Sequence, residues 1–263
     1  MDTMDQVAGL QLLLDGSTAH LVLDRPDKAN ALTQEMWEAI PRFVAAAERT
    51  KARVLVLRSA SERVFSAGAD VAEYRANAGS TEWGLANHRR VTGATDALHH
   101  CSLATIAAIA GPCAGGGVGL ITACDLRIAA DTAVFAIPPA KLGLVYPQAD
   151  TARLVDLIGP SAAKRLLLTA ARLDAAWALR VGLLDDLVPA EDLESGVAGL
   201  SEQISGGAPV SIRAMKRTID LALRGQREEN DTTRALLTET LSHPDHAEGT
   251  AAFLERRAPV FGA

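Results

Sequence analysis

The chain has 263 residues, 48% of them hydrophobic, and a formal net charge of −6. That length supports a sizeable core, as one large domain or a domain with an appendage. An acidic balance with no basic block argues against nucleic acid as a partner, and no apolar run reaches the roughly 18 residues of a membrane span. The start, Met1-Asp2-Thr3-Met4-Asp5, lacks the basic opening of a signal peptide, so a cytoplasmic protein is expected. Cys101, Cys113 and Cys124 lie in apolar surroundings without a Cys-x-x-Cys pair or matching histidines, which predicts reduced, buried thiols and no metal site.

Leu10–Leu14 and Ala19–Leu23 flank Asp15-Gly16-Ser17 and predict a hairpin. The loop Asp24-Arg25-Pro26-Asp27-Lys28-Ala29-Asn30 follows. Thr33 is a good N-cap for a helix to about Thr50, with Met36, Ile40, Phe43, Val44 and Ala47 at helical spacing, Trp37 as core and Pro41 as a point of kinking. Val54–Leu57 predicts a buried strand, Val71–Tyr74 a helical piece, 76–83 a loop and 84–100 a helix. His88, His99 and His100 on that helix read as surface or packing residues. Thr105–Ala110 and Leu126–Ala129 are further strands, and prolines break 134–147. A helix follows with Asp150 or Thr151 as its cap, then one from Gly159-Pro160-Ser161, then one capped by Asp174 and stopped at Gly182. From about Ala190, amphipathic patterns over 191–205, 209–223, 226–242 and 246–256 predict an all-helical tail, with a helix boundary at Pro244.

Two small-residue turns carry the functional signal. Residues 111–128 begin with the loop Gly115-Gly116-Gly117 and become apolar like a buried helix. Such a loop leaves N–H groups free at a helix start, where the dipole favours negative charge. The same glycines also suit close helix packing alone. No Gly-x-Gly-x-x-Gly after a strand and no Walker lysine is present, so nucleotide phosphate fits poorly. The second turn lies in Val64-Phe65-Ser66-Ala67-Gly68-Ala69-Asp70-Val71, after an apolar strand. Two N–H-presenting turns that converge on one oxygen would form an oxyanion hole.

These residues carry a resemblance. Phe65 to Asp70, the glycine loop and Cys124-Asp125-Leu126-Arg127 are similar to the crotonase (enoyl-CoA hydratase/isomerase) superfamily. So are Asp24-Arg25-Pro26 with Asn30-Ala31-Leu32, Gly182-Leu183 with Val188-Pro189, and Glu248-Gly249 with Phe253 and Arg257. The resemblance implies an α/β fold: a crotonase-like spiral of ββα units over residues 1–195 and a C-terminal helical trimerisation and lid region over 196–263. It also implies an acyl-CoA thioester ligand, with no covalently bound cofactor and coenzyme A as part of the substrate, in a homotrimer or dimer of trimers. The oxyanion donors would be the N–H groups of Ala69 and Gly116. Coenzyme A would meet Arg25, Lys28, Ala67, Ala69, Asp70 and Val71, with Phe253 and Arg256 serving the neighbouring subunit. For Arg25, Lys28 and Arg256, ordinary solvated surface is the competing reading.

The chain departs from that pattern at two places. By resemblance, the two hydratase glutamates align with Gly119 and Pro139, neither of which transfers a proton. A positioned acid or base is worth roughly 100- to 10,000-fold, so weak ordinary hydratase activity is expected. Tyr146, in Leu142-Gly143-Leu144-Val145-Tyr146, resembles a tyrosine of methylmalonyl-CoA decarboxylase-like members that orients the departing carboxylate, and is the third candidate catalytic residue; packing is its alternative. Asp150 is another candidate by resemblance, since a carboxylate in this segment is the nucleophile of chlorobenzoyl-CoA dehalogenase-like members, where it aligns nearer Pro147; a helix cap is its competing reading. Asp70 and Asp125 read as structural, holding loops or pairing with arginines such as Arg127. The function implied is an enoyl-CoA hydratase/isomerase-like lyase. A decarboxylase of a malonyl-type thioester and a non-catalytic acyl-CoA-binding protein are the alternatives.

Overall fold

Alternating apolar residues on either side of Gly16 do form a hairpin, β2 (Leu10–Asp15) with β3 (Thr18–Leu23). A strand the sequence did not announce precedes it. β1 (Asp2–Val7) pairs antiparallel with β2 at the sheet edge. Three of its first four residues are aspartate or threonine, so it shows no apolar alternation. The computed structural model describes residues 1–262.

Helix α1 (Gln34–Glu48) starts where expected, with Thr33 Oγ1 accepting from Met36 N at 3.3 Å. It runs through Pro41, which leaves the Trp37 carbonyl without its intrahelical donor. Strand β4 (Val54–Ser59) then enters the sheet beside β3. After the 60–70 turn come α2 (Val71–Ala76), capped by Asp70, and α3 (Thr81–His99), capped by Ser80. The loop expected over 76–83 is therefore only a few residues long, because Ser80 supplies a cap that starts α3 early. β5 (Ala104–Ile109), the short β6 (Cys113–Ala114), α4 (Gly116–Ala123) and β7 (Leu126–Ala130) follow. Within the proline-broken stretch there is one short strand, β8 (Val134–Ala136).

The two helices expected after Pro147 form one element, α5 (Gln148–Thr169), broken at Gly159 (φ 72°, ψ 163°). Asp150 does not cap it. Pro147 holds the N-cap position, and Asp150 is the third helical residue, 1% exposed. β9 (Leu173–Asp174), α6 (Ala175–Arg180) with Asp174 as its cap, and β10 (Asp186–Val188) complete the sheets. The tail is α7 (Leu193–Ser205), α8 (Pro209–Leu223), α9 (Asp231–Ser242) and α10 (Pro244–Glu255), the last two meeting at His243-Pro244 as expected.

The main sheet has the order β1-β2-β3-β4-β5-β7-β10, antiparallel through β3 and parallel from there on. A second sheet has the order β6-β8-β9. The parallel strands are buried on both faces, so they read as continuous apolar runs. Leu55 and Leu57 of β4 join the larger core with Trp37, Phe43 and Phe135. Val54 and Val56 point the other way, into a smaller core closed by Leu193 and Val197 of α7. The division at 195 thus falls inside a helix that packs on the sheet, and the helices beyond α7 lie further out.

Candidate active site

The site forms where the 60–70 turn meets the turn between β6 and α4. The two run side by side, joined by an isolated parallel bridge between Ser66 and Cys113 and by Ala114 N donating to Ser66 O at 2.8 Å. Gly68 makes this approach possible. Its φ is +90°, and a Cβ there would lie 2.7 Å from Ala114 O and 2.9 Å from Gly116 N. Only glycine fits a backbone that is both left-handed and this crowded.

The result brings Ala69 and Gly116 together: a Cβ built on Gly116 lies 3.5 Å from Ala69 N. Among the described residues, neither N–H donates to a protein acceptor. Gly116 is the first residue of α4, so its N–H has no intrahelical partner. Ala69 sits between Gly68, whose carbonyl accepts from Leu32 N, and Asp70, whose N–H donates to Leu32 O. The Trp37 ring lies under Gly116, 2.9 Å from where a Cβ would be. This core residue therefore also shapes the site, which composition gave no sign of.

The neighbouring candidates are held by a dense polar set. Asn30, fully buried with φ 51°, donates to Ser59 Oγ and Phe65 O and accepts from Arg25 N. Ser66 Oγ donates to Asn30 O, and Ala67 N donates to Ala29 O. Asp70 caps α2 through Ala72 N and pairs with Arg25 Nη1 at 2.6 Å. The Arg25 guanidinium, with burial opposing it, holds the Asp70 carboxyl below its usual value of 3.8. Arg25 Nη1 also donates to the Ala31 carbonyl. Lys28 is exposed, without an ion pair among the described residues, and Val71 is 57% exposed. Phe253, 83% exposed, and Arg256, at the left-handed C-cap of α10, have no side-chain hydrogen bond or ion pair to the two turns. The engaged arginine of that segment is Arg257, bidentate on Glu248 at 2.6 and 3.0 Å.

Tyr146 is buried, and its hydroxyl donates to Gly115 O at 3.1 Å. Burial first, and then the nearby Asp150, push its ionisation far up, so it is a neutral donor. At Gly119, one turn along α4 from Gly116, a Cβ would lie 3.0 Å from Asp150 Oδ2 and 3.2 Å from the Tyr146 hydroxyl. Pro139 opens a short turn over 139–142 and carries no proton-transferring group. Glu73 of α2 accepts from the N–H of Gln34, the first residue of α1, at 3.1 Å. Asp125 holds Thr105 and pairs with Lys216 of α8 at 2.6 Å, while Arg127 pairs with Asp185. Both are structural, but not with each other.

A family model described as enoyl-CoA hydratase/isomerase matches residues 15–263. The chain is 33% identical over 260 residues to a carnitinyl-CoA dehydratase of Proteus mirabilis, with 95% of this chain and 97% of that one covered. Among solved structures it is similar to an enoyl-CoA hydratase/isomerase family protein from Hyphomonas neptunium (TM-score 0.93, 34% identity, 97% of each chain). It is equally similar in fold to an enoyl-CoA hydratase/carnitine racemase from Magnetospirillum magneticum (TM-score 0.93, 31% identity, 99% of this chain and 97% of that one). Those likenesses span the sheet, the two converging turns and the helical tail together, and the chain belongs to the enoyl-CoA hydratase/isomerase family.

Proposed function

We infer that the chain binds an acyl-CoA thioester and stabilises its enolate, with the thioester oxygen held by the N–H groups of Ala69 and Gly116. The observation that carries this reading is the pair of unpartnered backbone donors brought together from two turns. Backbone donors are neutral, fixed and untitratable, and one such donor is worth on the order of 3 kcal/mol in the transition state. The α4 dipole adds to the Gly116 side. Relatives named as dehydratases and hydratases of CoA thioesters support the substrate class.

Lys28 and the free Nε and Nη2 of Arg25 would meet the phosphates of coenzyme A, and Ala67, Asp70 and Val71 would line its path. Phe253 and Arg256 would serve the neighbouring subunit of a trimer or dimer of trimers. Ordinary hydration is expected to be weak, since Gly119 and Pro139 offer no proton. The decarboxylase reading needs the Tyr146 hydroxyl for a departing carboxylate, and here that hydroxyl donates to Gly115 O.

The test is calorimetric titration with crotonyl-CoA and free coenzyme A, with mass spectrometry of crotonyl-, longer enoyl- and methylmalonyl-CoA after incubation. Tighter binding of the thioester than of free coenzyme A is expected, with little gain of water. Equal binding, or none, would remove the oxyanion reading. Loss of carbon dioxide from methylmalonyl-CoA would replace it with the decarboxylase.

A further inference from the structure

Asp150 is a buried ionisable group beside the two turns, and only one of its carboxylate oxygens is satisfied. Its side chain is 1% exposed. Arg153 Nη1 binds Oδ1 at 2.9 Å, but Oδ2 has no hydrogen-bond partner. A buried carboxylate oxygen without a donor is costly and rare. This atom lies against α4 at Gly119, where the missing side chain leaves it room. Gly119 is one helical turn, about 5 Å, from Gly116. A thioester seated by its oxygen on the Gly116 N–H would carry its first acyl carbons along that stretch.

We propose that Asp150 is the proton-transferring residue of this site, its Oδ2 reaching the acyl carbons beside the thioester across the gap left by Gly119. The proposal rests on the thioester reading above. With a β,γ-unsaturated acyl-CoA, Asp150 takes a proton from the α carbon. The C–H pair spreads into the double bond and the thioester carbonyl, giving a dienolate held by Ala69 and Gly116. The resulting carboxylic acid returns the proton to the γ carbon, and the double bond moves into conjugation. Nothing is oxidised or reduced, and no water is consumed.

The surroundings suit a group that must exist in both protonation states. Burial raises the Asp150 carboxyl above its usual 3.8, while the Thr95 hydroxyl and then Arg153 oppose the rise and Asp96 adds to it. From α3, Asp96 pairs with Arg153, Thr95 accepts from it, and His99 lies nearby. Tyr146 faces Asp150 as a neutral hydroxyl, and α4 contributes no titratable side chain.

The experiment incubates the protein with vinylacetyl-CoA in deuterium oxide and follows deuterium uptake and crotonyl-CoA formation, with binding measured in parallel by calorimetry. Asp150→Asn is expected to slow both readouts by roughly 100-fold or more. Its thioester affinity should stay within about threefold of the parent, since the binding contacts are untouched. The parent rate should climb with pH through one ionisation above the ordinary carboxylate value, a measurement that decides the matter even if Asp150→Asn fails to fold. An unchanged rate in Asp150→Asn, a parent rate flat with pH, or a parent that binds the thioester but moves no proton would each overturn the assignment. A parent that binds no thioester would bring down the oxyanion reading and this proposal with it.

Discussion

Gly68 is the residue on which the site depends most directly. A Gly68→Ala variant must place a methyl 2.7 Å from Ala114 O at φ +90°. It is expected to lose more than about 2 kcal/mol of stability. Turnover should fall on the order of 100-fold as the two N–H groups separate. Gly79→Ala is the control. It has a similar φ of +86° but open space around it, and should cost only about 1 kcal/mol with activity intact. Thermal unfolding and activity of both variants test the pair. Asp70 makes a second prediction at this scale. Its carboxyl titrates lower folded than unfolded, so the folded state binds fewer protons in that range. The stability it supplies is complete above its ordinary 3.8 and is lost as pH falls through the lower folded value. Asp70→Asn should therefore flatten the acid limb of a stability-versus-pH curve, and an unchanged limb would mean that the Arg25 pair contributes nothing.

At the scale of elements, caps and docking contacts decide how the helices sit. Asp174 Oδ1 accepts from Trp177 N at 2.7 Å and fixes the start of α6. Asp174→Ala is expected to cost about 1 kcal/mol, read as a lowered denaturation midpoint at unchanged slope. Lys216 makes the densest set of contacts from helix α8 to the body: its Nζ donates to the carbonyls of Cys101 and Leu103 and pairs with Asp125. Lys216→Met should loosen α8 and the tail beyond it, seen as faster amide exchange confined to the residues after 208. Exchange unchanged in those residues would show that apolar packing alone holds the helix.

For the whole molecule, the outer helices leave apolar surface open. Met215, Ile219 and Leu223 form a stripe on α8 at 56%, 60% and 60% exposure, and α9 has no buried residue at all. A helix with no buried face gains little from the single chain, and this surface is where the proposed trimer would have its contacts. Ile219→Glu with Met215→Glu should shift sedimentation from the oligomer to the monomer; a parent already monomeric would refute the assembly. The three thiols make an independent prediction about the interior. Cys101 and Cys124 are pushed by burial up to about 12, and burial raises Cys113 well above its usual value. No thiol should react with a thiol reagent in the native protein, and all three should react after unfolding.

The sequence by itself determined the parts whose signals are local. Thr33, Asp174 and the His243-Pro244 step set helix boundaries through caps and the missing proline N–H. The apolar runs at 54–57 and 105–110 required buried strands. The turns at 66–70 and 115–117 announced free N–H groups because only glycine permits such backbone. What it could not decide was which distant groups meet. Asp150 read as a cap because aspartate near a helix start usually is one, and only the packing of α5 on α4 turns its carboxylate toward Gly119. Trp37 read as core, and only the fold lays its ring beneath Gly116. Caps and turns are settled within a few residues along the chain, whereas the chemistry of this site depends on contacts between residues more than thirty positions apart.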